Sequence, residues 1–179
     1  MIRPIIILLD NTIEMARYSS CLRDSIVEIV NYCRTNPYML DNEISFISFD
    51  GKTLYNTSIE KFEEGHIYLR TSSSVTLDGG FCSILNQSTN EQRKEFLIII
   101  TCGNSTQIQP STISKFKDSY IPFVVVCLEQ KSGCNWVEML TNNPRIFYTP
   151  LSKDNLNNMF VVPTFYINDN RDPNYIATV

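Results

Sequence analysis

The sequence predicts a doubly wound α/β fold, a mostly parallel six-stranded sheet with one antiparallel edge strand and helices on both faces. Three observations carry that expectation. Short apolar runs rich in Ile, Val and Leu recur at Ile5–Leu9, Glu95–Thr101 and Ile121–Leu128, which is how parallel strands read when both faces are covered. Stretches with helical spacing separate them. Asp50-Gly51, flanked by β-rich runs, marks a two-residue hairpin and therefore an antiparallel strand at an edge. Right-handed crossovers connect such a sheet throughout.

Taken in order, Ile5–Leu9 is the central strand. From Thr12 to about Arg34, apolar residues fall at Met15, Leu22, Ile26, Ile29, Val30 and Cys33, so one long amphipathic helix is expected, stopped by Asn36-Pro37. Glu43–Phe49 and Lys52–Thr57 form the hairpin. Ile59–Leu69 is weakly patterned and holds a short helix or turn. Leu77–Leu85 starts a helix just after the serine-rich loop Ser72–Ser74. The polar stretch Asn104–Ser119 holds a short helix from about Thr112. Gly133–Leu140 reads as a helix, Arg145–Tyr148 as a short strand, and Leu151–Phe160 as a closing helix with Lys153, Asp154 and Asn155 facing solvent. Pro163 and the segment Ile167–Pro173 break any helix, so residues 1–162 are expected to form the domain and 163–179 a tail or appendage. The Thr164–Ile167 segment has the composition to add a strand to a partner's sheet.

Bulk properties narrow the function. A chain of 179 residues suits one domain with a full core. The net charge of −4 and the lack of a Lys/Arg cluster argue against a nucleic-acid surface. The apolar runs Pro4–Leu9 and Pro122–Leu128 fall far short of the ~20 residues that cross a bilayer, and no signal segment precedes them. A soluble cytoplasmic protein with no membrane partner is expected. The cysteines Cys21, Cys33, Cys82, Cys102, Cys127 and Cys134 show no Cys-x-x-Cys spacing; reduced, mostly buried thiols are the expectation, with a disulfide left open.

Three separated pieces share one kind of position, where a buried strand gives way to a loop or helix: Asp10-Asn11-Thr12-Ile13-Glu14, Thr76 within Ser-Ser-Val-Thr-Leu-Asp-Gly-Gly, and Thr101-Cys102-Gly103. Open α/β sheets place ligands outside such strand ends. Together the pieces resemble a von Willebrand factor A domain, in which a strand ends in Asp-x-Ser-x-Ser, a later loop supplies Thr, and a later strand ends in Thr-Asp-Gly. In that family these groups hold a divalent cation, the metal-ion-dependent adhesion site. Within the family, the chain is similar to the small bacterial TerY-like domains. Ser74-Val75-Thr76-Leu77-Asp78-Gly79 matches their Gly-Gly-Thr-x-Leu-Gly, and Ile44–Asp50 matches their second strand. The resemblance spans Arg3 to Phe160. It implies a degenerate site for Mg²⁺ or Mn²⁺, or for no cation at all, made by Asp10, Thr12, Glu14, Thr76 and Cys102, and a partner-binding surface at Asp10, Ser74, Thr76, Asp78, Gly103 and Asn104.

The residues themselves weigh on both sides. Asp10, Thr12 and Thr76 offer hard oxygens, whereas the Cys102 thiol is a soft ligand that Mg²⁺ does not prefer over water. Glu14 would return the lost charge, but Asn11 and Glu14 also have capping-box spacing. Thr76 could cap the helix after it, with Asp78 suiting the positive end of that helix. Asp10, at the end of a buried strand, needs a cation, a donor array or an exposed position. His66 has no Ser or Cys placed beside it, which argues against a nucleophilic triad. Trp136 reads as core or as an interface anchor. With no phosphate loop, paired catalytic carboxylates or nucleophile elbow, no catalysis is expected.

The expected function is therefore a non-catalytic protein-interaction module. The TerY-like resemblance implies bacterial stress-response or phage-defence signalling, with a phosphatase or kinase as partner. Two rivals stand beside it: a structural subunit binding through helices or tail without metal, and a metal-dependent phosphate-ester hydrolase or nucleotide binder.

Overall fold

β1 (Ile5–Leu9) is buried along its whole length and pairs in parallel with β2 (Glu43–Ser48) on one side and β4 (Phe96–Thr101) on the other. The computed structural model describes residues 4–87, 95–103, 108–129, 135–141 and 145–160. Its sheet has six strands in the order β3-β2-β1-β4-β5-β6, with β3 at Thr53–Ser58, β5 at Phe123–Cys127 and β6 at Ile146–Tyr148. Only β3 runs antiparallel to its neighbour.

Strand alternation sends side chains to two separate cores. Ile5, Ile7 and Leu9 face α1 (Ser19–Arg34) through Leu22, Ile26, Ile29 and Val30, and the same core takes Leu156 and Met159 from α5 (153–160). Ile6 and Leu8 face the opposite core, built from α2 (Leu77–Gln87), α3 (Pro110–Ser119) and α4 (Asn135–Leu140) through Phe81, Ile84, Phe116, Trp136 and Leu140. A fully buried aliphatic side chain contributes about 2 kcal/mol. A one-residue slip of β1 would exchange all of them between two differently shaped cores, so close packing on both faces holds the register.

Three local outcomes differ from expectation. The single helix expected from Thr12 is a 3-10 turn, Ile13–Tyr18, followed by α1 from Ser19. The break lies at Tyr18, with φ −104 and ψ 14. Leaving a buried strand within two residues forces a tight turn, closed by Met15 N–H donating to Thr12 O at 3.0 Å. The hairpin joins its strands through Phe49–Lys52, with a register shift between Phe46 and Ile47, instead of a two-residue loop. Gly51 takes φ +85 there, and Phe49 N–H donates to Leu9 O at 3.0 Å. Finally, α3 begins at Pro110, a residue already shaped for a first helical turn. Residues 133–134 and the tail segment 163–179 lie outside the described residues. Among the described residues, no helix is long and apolar enough to cross a membrane.

Candidate interaction site at the carboxyl rim

The chain passes from β1 to β2 on one side and from β4 to β5 on the other, so the sheet's direction of winding reverses between β1 and β4. Asp10 and Cys102 follow these two strands directly. Asp10 N–H donates to Ile100 O at 2.9 Å, which ties the start of one loop to the end of the neighbouring strand.

The Asp10 side chain is fully buried and its carboxylate is surrounded by donors. Oδ1 accepts from Thr12 N–H at 2.8 Å and from Thr12 Oγ1 at 2.6 Å. Oδ2 accepts from Thr101 Oγ1 at 2.7 Å and from the Cys102 thiol at 3.7 Å. Gly103, at φ +87, turns the chain so that its N–H donates to Thr101 Oγ1 at 3.0 Å. Thr101 is the member that the expected ligand set leaves out. It belongs to the strand-ending Thr-Cys-Gly motif, and that motif is the signal that could have marked it.

The serine-rich loop comes to the same rim. Thr12 and Ser72 form a parallel β-bridge, and Ser72 N–H donates to Asn11 O at 2.9 Å. Beyond it, Ser74 and Thr76 are exposed, and no hydrogen bond joins Thr76 to the Asp10 network among the described residues. The start of α2 is held by contact with the hairpin. Gly80 N–H donates to Phe49 O at 2.8 Å, and a Cβ on Gly51 would lie 2.7 Å from Gly79 O.

The remaining residues named from sequence fall as follows. Glu14 is exposed, and the capping box with Asn11 does not form. Thr12 is the N-cap residue of the turn, without a side-chain cap bond, and Asn11 Nδ2 donates to Arg70 O at 3.4 Å. Asp78 is half-buried and accepts from Gln109 N–H at 2.9 Å and from the Cys82 thiol at 3.7 Å, so it serves the entry to α3. Asn104 lies outside the described residues.

Two flanking clusters carry charge. Tyr18 donates to Glu129, just past β5, and Arg17 lies 3.7 Å from the same carboxylate. The bond to Glu129, helped by burial, raises the Tyr18 phenol above its ordinary pKa. At the hairpin, burial pushes the Asp50 carboxyl up. The Ser48 hydroxyl and the Lys52 ammonium outweigh it, leaving Asp50 below the ordinary carboxylate value.

A carboxylate has about four lone-pair positions, and all four on Asp10 are taken by this chain's own donors. Mg²⁺ or Mn²⁺ needs hard oxygen ligands in a near-octahedral array. Here the second strand end brings a thiol instead of a carboxylate, and the Thr76 hydroxyl stands outside the network. Among the described residues, no group of three His, Cys, Asp or Glu side chains is placed to hold a metal. As folded, the donor set does not fit such an ion.

No family model and no curated protein matches the sequence. Solved structures do match it. Proximal thread matrix protein 1 from the mussel byssus superposes with a TM-score of 0.62 at 14% identity, over 88% of this chain and 46% of that one. A form of the same protein with a zinc-occupied MIDAS motif gives 0.61 at 12% identity, over 93% and 47%. The chain thus spans about half the length of the mussel protein. The SpRpn10 VWA domain gives 0.56 at 14% identity, over 91% of this chain and 95% of that one. At such identities the likeness speaks for architecture alone: the chain has the α/β fold of von Willebrand factor A domains.

Proposed function

We propose that this chain is a non-catalytic protein-interaction module that docks a protein partner at the carboxyl rim. Asp10, Thr12, Cys102 and Gly103 form the scaffold of the docking surface, Ser74 and Thr76 face the partner, and Asp78 and Asn104 complete the proposed partner-binding set. The observation that carries this reading is the fully hydrogen-bonded Asp10 beside an exposed hydroxyl-bearing loop that bridges to Thr12. A carboxylate with every lone pair committed is a poor general base, yet it fixes the loops around it. Pre-shaped loops lower the ordering cost of binding. Ile13, 55% exposed beside Thr12, adds the apolar contact that polar rims lack.

The TerY-like resemblance supplies the partner class, a bacterial phosphatase or kinase in stress-response or phage-defence signalling within the cytoplasm. Residues 1–162 then act as the module and 163–179 as a separate tail. Affinity co-purification from the native host tests the reading, using the intact chain, the Ser74→Glu/Thr76→Glu double variant and a chain ending at residue 162. Loss of the partner in the double variant, with retention in the shortened chain, is expected. The opposite pattern would move assembly to the tail.

A further inference from the structure

We infer that Cys102 makes the carboxyl rim independent of divalent cations. Its thiol proton completes the shell of Asp10, so the loops hold their shape without Mg²⁺ or Mn²⁺, and this one residue sets that behaviour. The inference concerns the chain alone and stands or falls without any partner.

The starting point is a charge problem. A carboxylate with no solvent exposure needs a compensating charge or a full set of donors. Among the described residues, no Lys or Arg side chain reaches Asp10, and its side-chain partners are Thr12, Thr101 and Cys102. Donors therefore solve the problem, and among the described residues four of them meet the carboxylate. Thr12 commits both its N–H and its hydroxyl proton to Oδ1. Thr101 commits its hydroxyl proton to Oδ2 and uses a lone pair for Gly103 N–H. That leaves one lone pair, and the Cys102 thiol fills it at 3.7 Å from a side chain only 1% exposed. A thiol is a weak donor, but it is neutral, so it adds no charge for a cation to balance. A carboxylate at this position would do the reverse. Two buried like charges in contact oppose each other's ionisation, and a hard divalent cation between them would relieve that repulsion.

The test is a melting-temperature series in MgCl₂ and MnCl₂ on the intact chain, with Mn²⁺ binding read by electron paramagnetic resonance. The wild type and Cys102→Ser, which keeps a neutral donor, should show no Asp10-dependent rise. Cys102→Asp should melt lower in EDTA and recover by about 5 °C with saturating Mn²⁺, and Asp10→Asn in that background should remove the recovery. A wild-type rise of that size that Asp10→Asn abolishes would overturn the inference. So would a folded Cys102→Asp that ignores both ions. Should Cys102→Asp fail to fold, the resonance titration decides alone: Asp10-dependent Mn²⁺ binding by the wild type refutes the inference, and its absence supports it.

Discussion

The carboxyl rim contains two regions of opposite character. Around Asp10, the carboxylate and its donors are buried and bonded to one another: Thr12, Thr101, Cys102 and Gly103 form one connected network. Around Thr76, the hydroxyls point to solvent, and the loop is fixed through its neighbours instead, by the Thr12–Ser72 bridge and by the seat of α2 on the hairpin. Both regions descend from one sequence constellation. The difference teaches that a motif can divide its labour, with one part becoming structure and the other surface. It follows that substitutions in the two parts should be felt in different measurements.

The largest expected effect is that of Asp10→Ala. Removing the carboxylate leaves three buried donors of Thr12 and Thr101, and a thiol, without an acceptor. At 1–3 kcal/mol for each buried unsatisfied group, partly relieved by water, a loss of about 4 kcal/mol is expected. Urea unfolding with an unchanged m-value reads it. A loss under about 1 kcal/mol would erase the distinction between the two regions.

Next comes Gly51→Ala, which probes the joint that carries the exposed region. Its φ of +85 disfavours any L side chain, and the added Cβ would meet Gly79 O at 2.7 Å. About 2 kcal/mol should be lost, with faster hydrogen exchange concentrated in the first turn of α2. Uniform exchange across the sheet instead would show that hairpin and helix are not coupled at this point.

The smallest effect is expected for Thr76→Ala, within about 0.5 kcal/mol of wild type by the same unfolding measurement. A cost above about 1 kcal/mol would mean that Thr76 caps α2 and belongs with the structural region.

Much of this architecture was legible in the residues. The runs at Ile5–Leu9, Phe96–Thr101 and Phe123–Cys127 are β-branched and uninterrupted, and they form the parallel centre of the sheet as that pattern demands. Asp50-Gly51 marked the turn before the antiparallel edge strand. What stayed hidden depended on distant partners. Periodicity continued smoothly through Thr12–Arg34, but Asp10 takes both donors of Thr12, and the chain answers with a 3-10 turn. The Asn11–Glu14 spacing suggested a local cap, but the Asn11 amide finds Arg70 O, 59 residues away in sequence. Asp78 looked suited to its own helix and instead holds Gln109 N–H, at the start of another. Local spacing can propose a bond; it cannot see the competitor that folding brings closer.

The placement of α5 carries one more consequence. Phe160 packs on Tyr32, with ring centroids 5.3 Å apart, and on Phe96, at 5.8 Å, the first residue of β4. Phe96 N–H also donates to Pro4 O at 2.9 Å. Residues 4 and 160 therefore both flank Phe96, at the end of β4 remote from Asp10 and Cys102. A label attached at residue 4 or 160 would sit at this end and leave the Asp10 network untouched, like a handle on the far side of a tool.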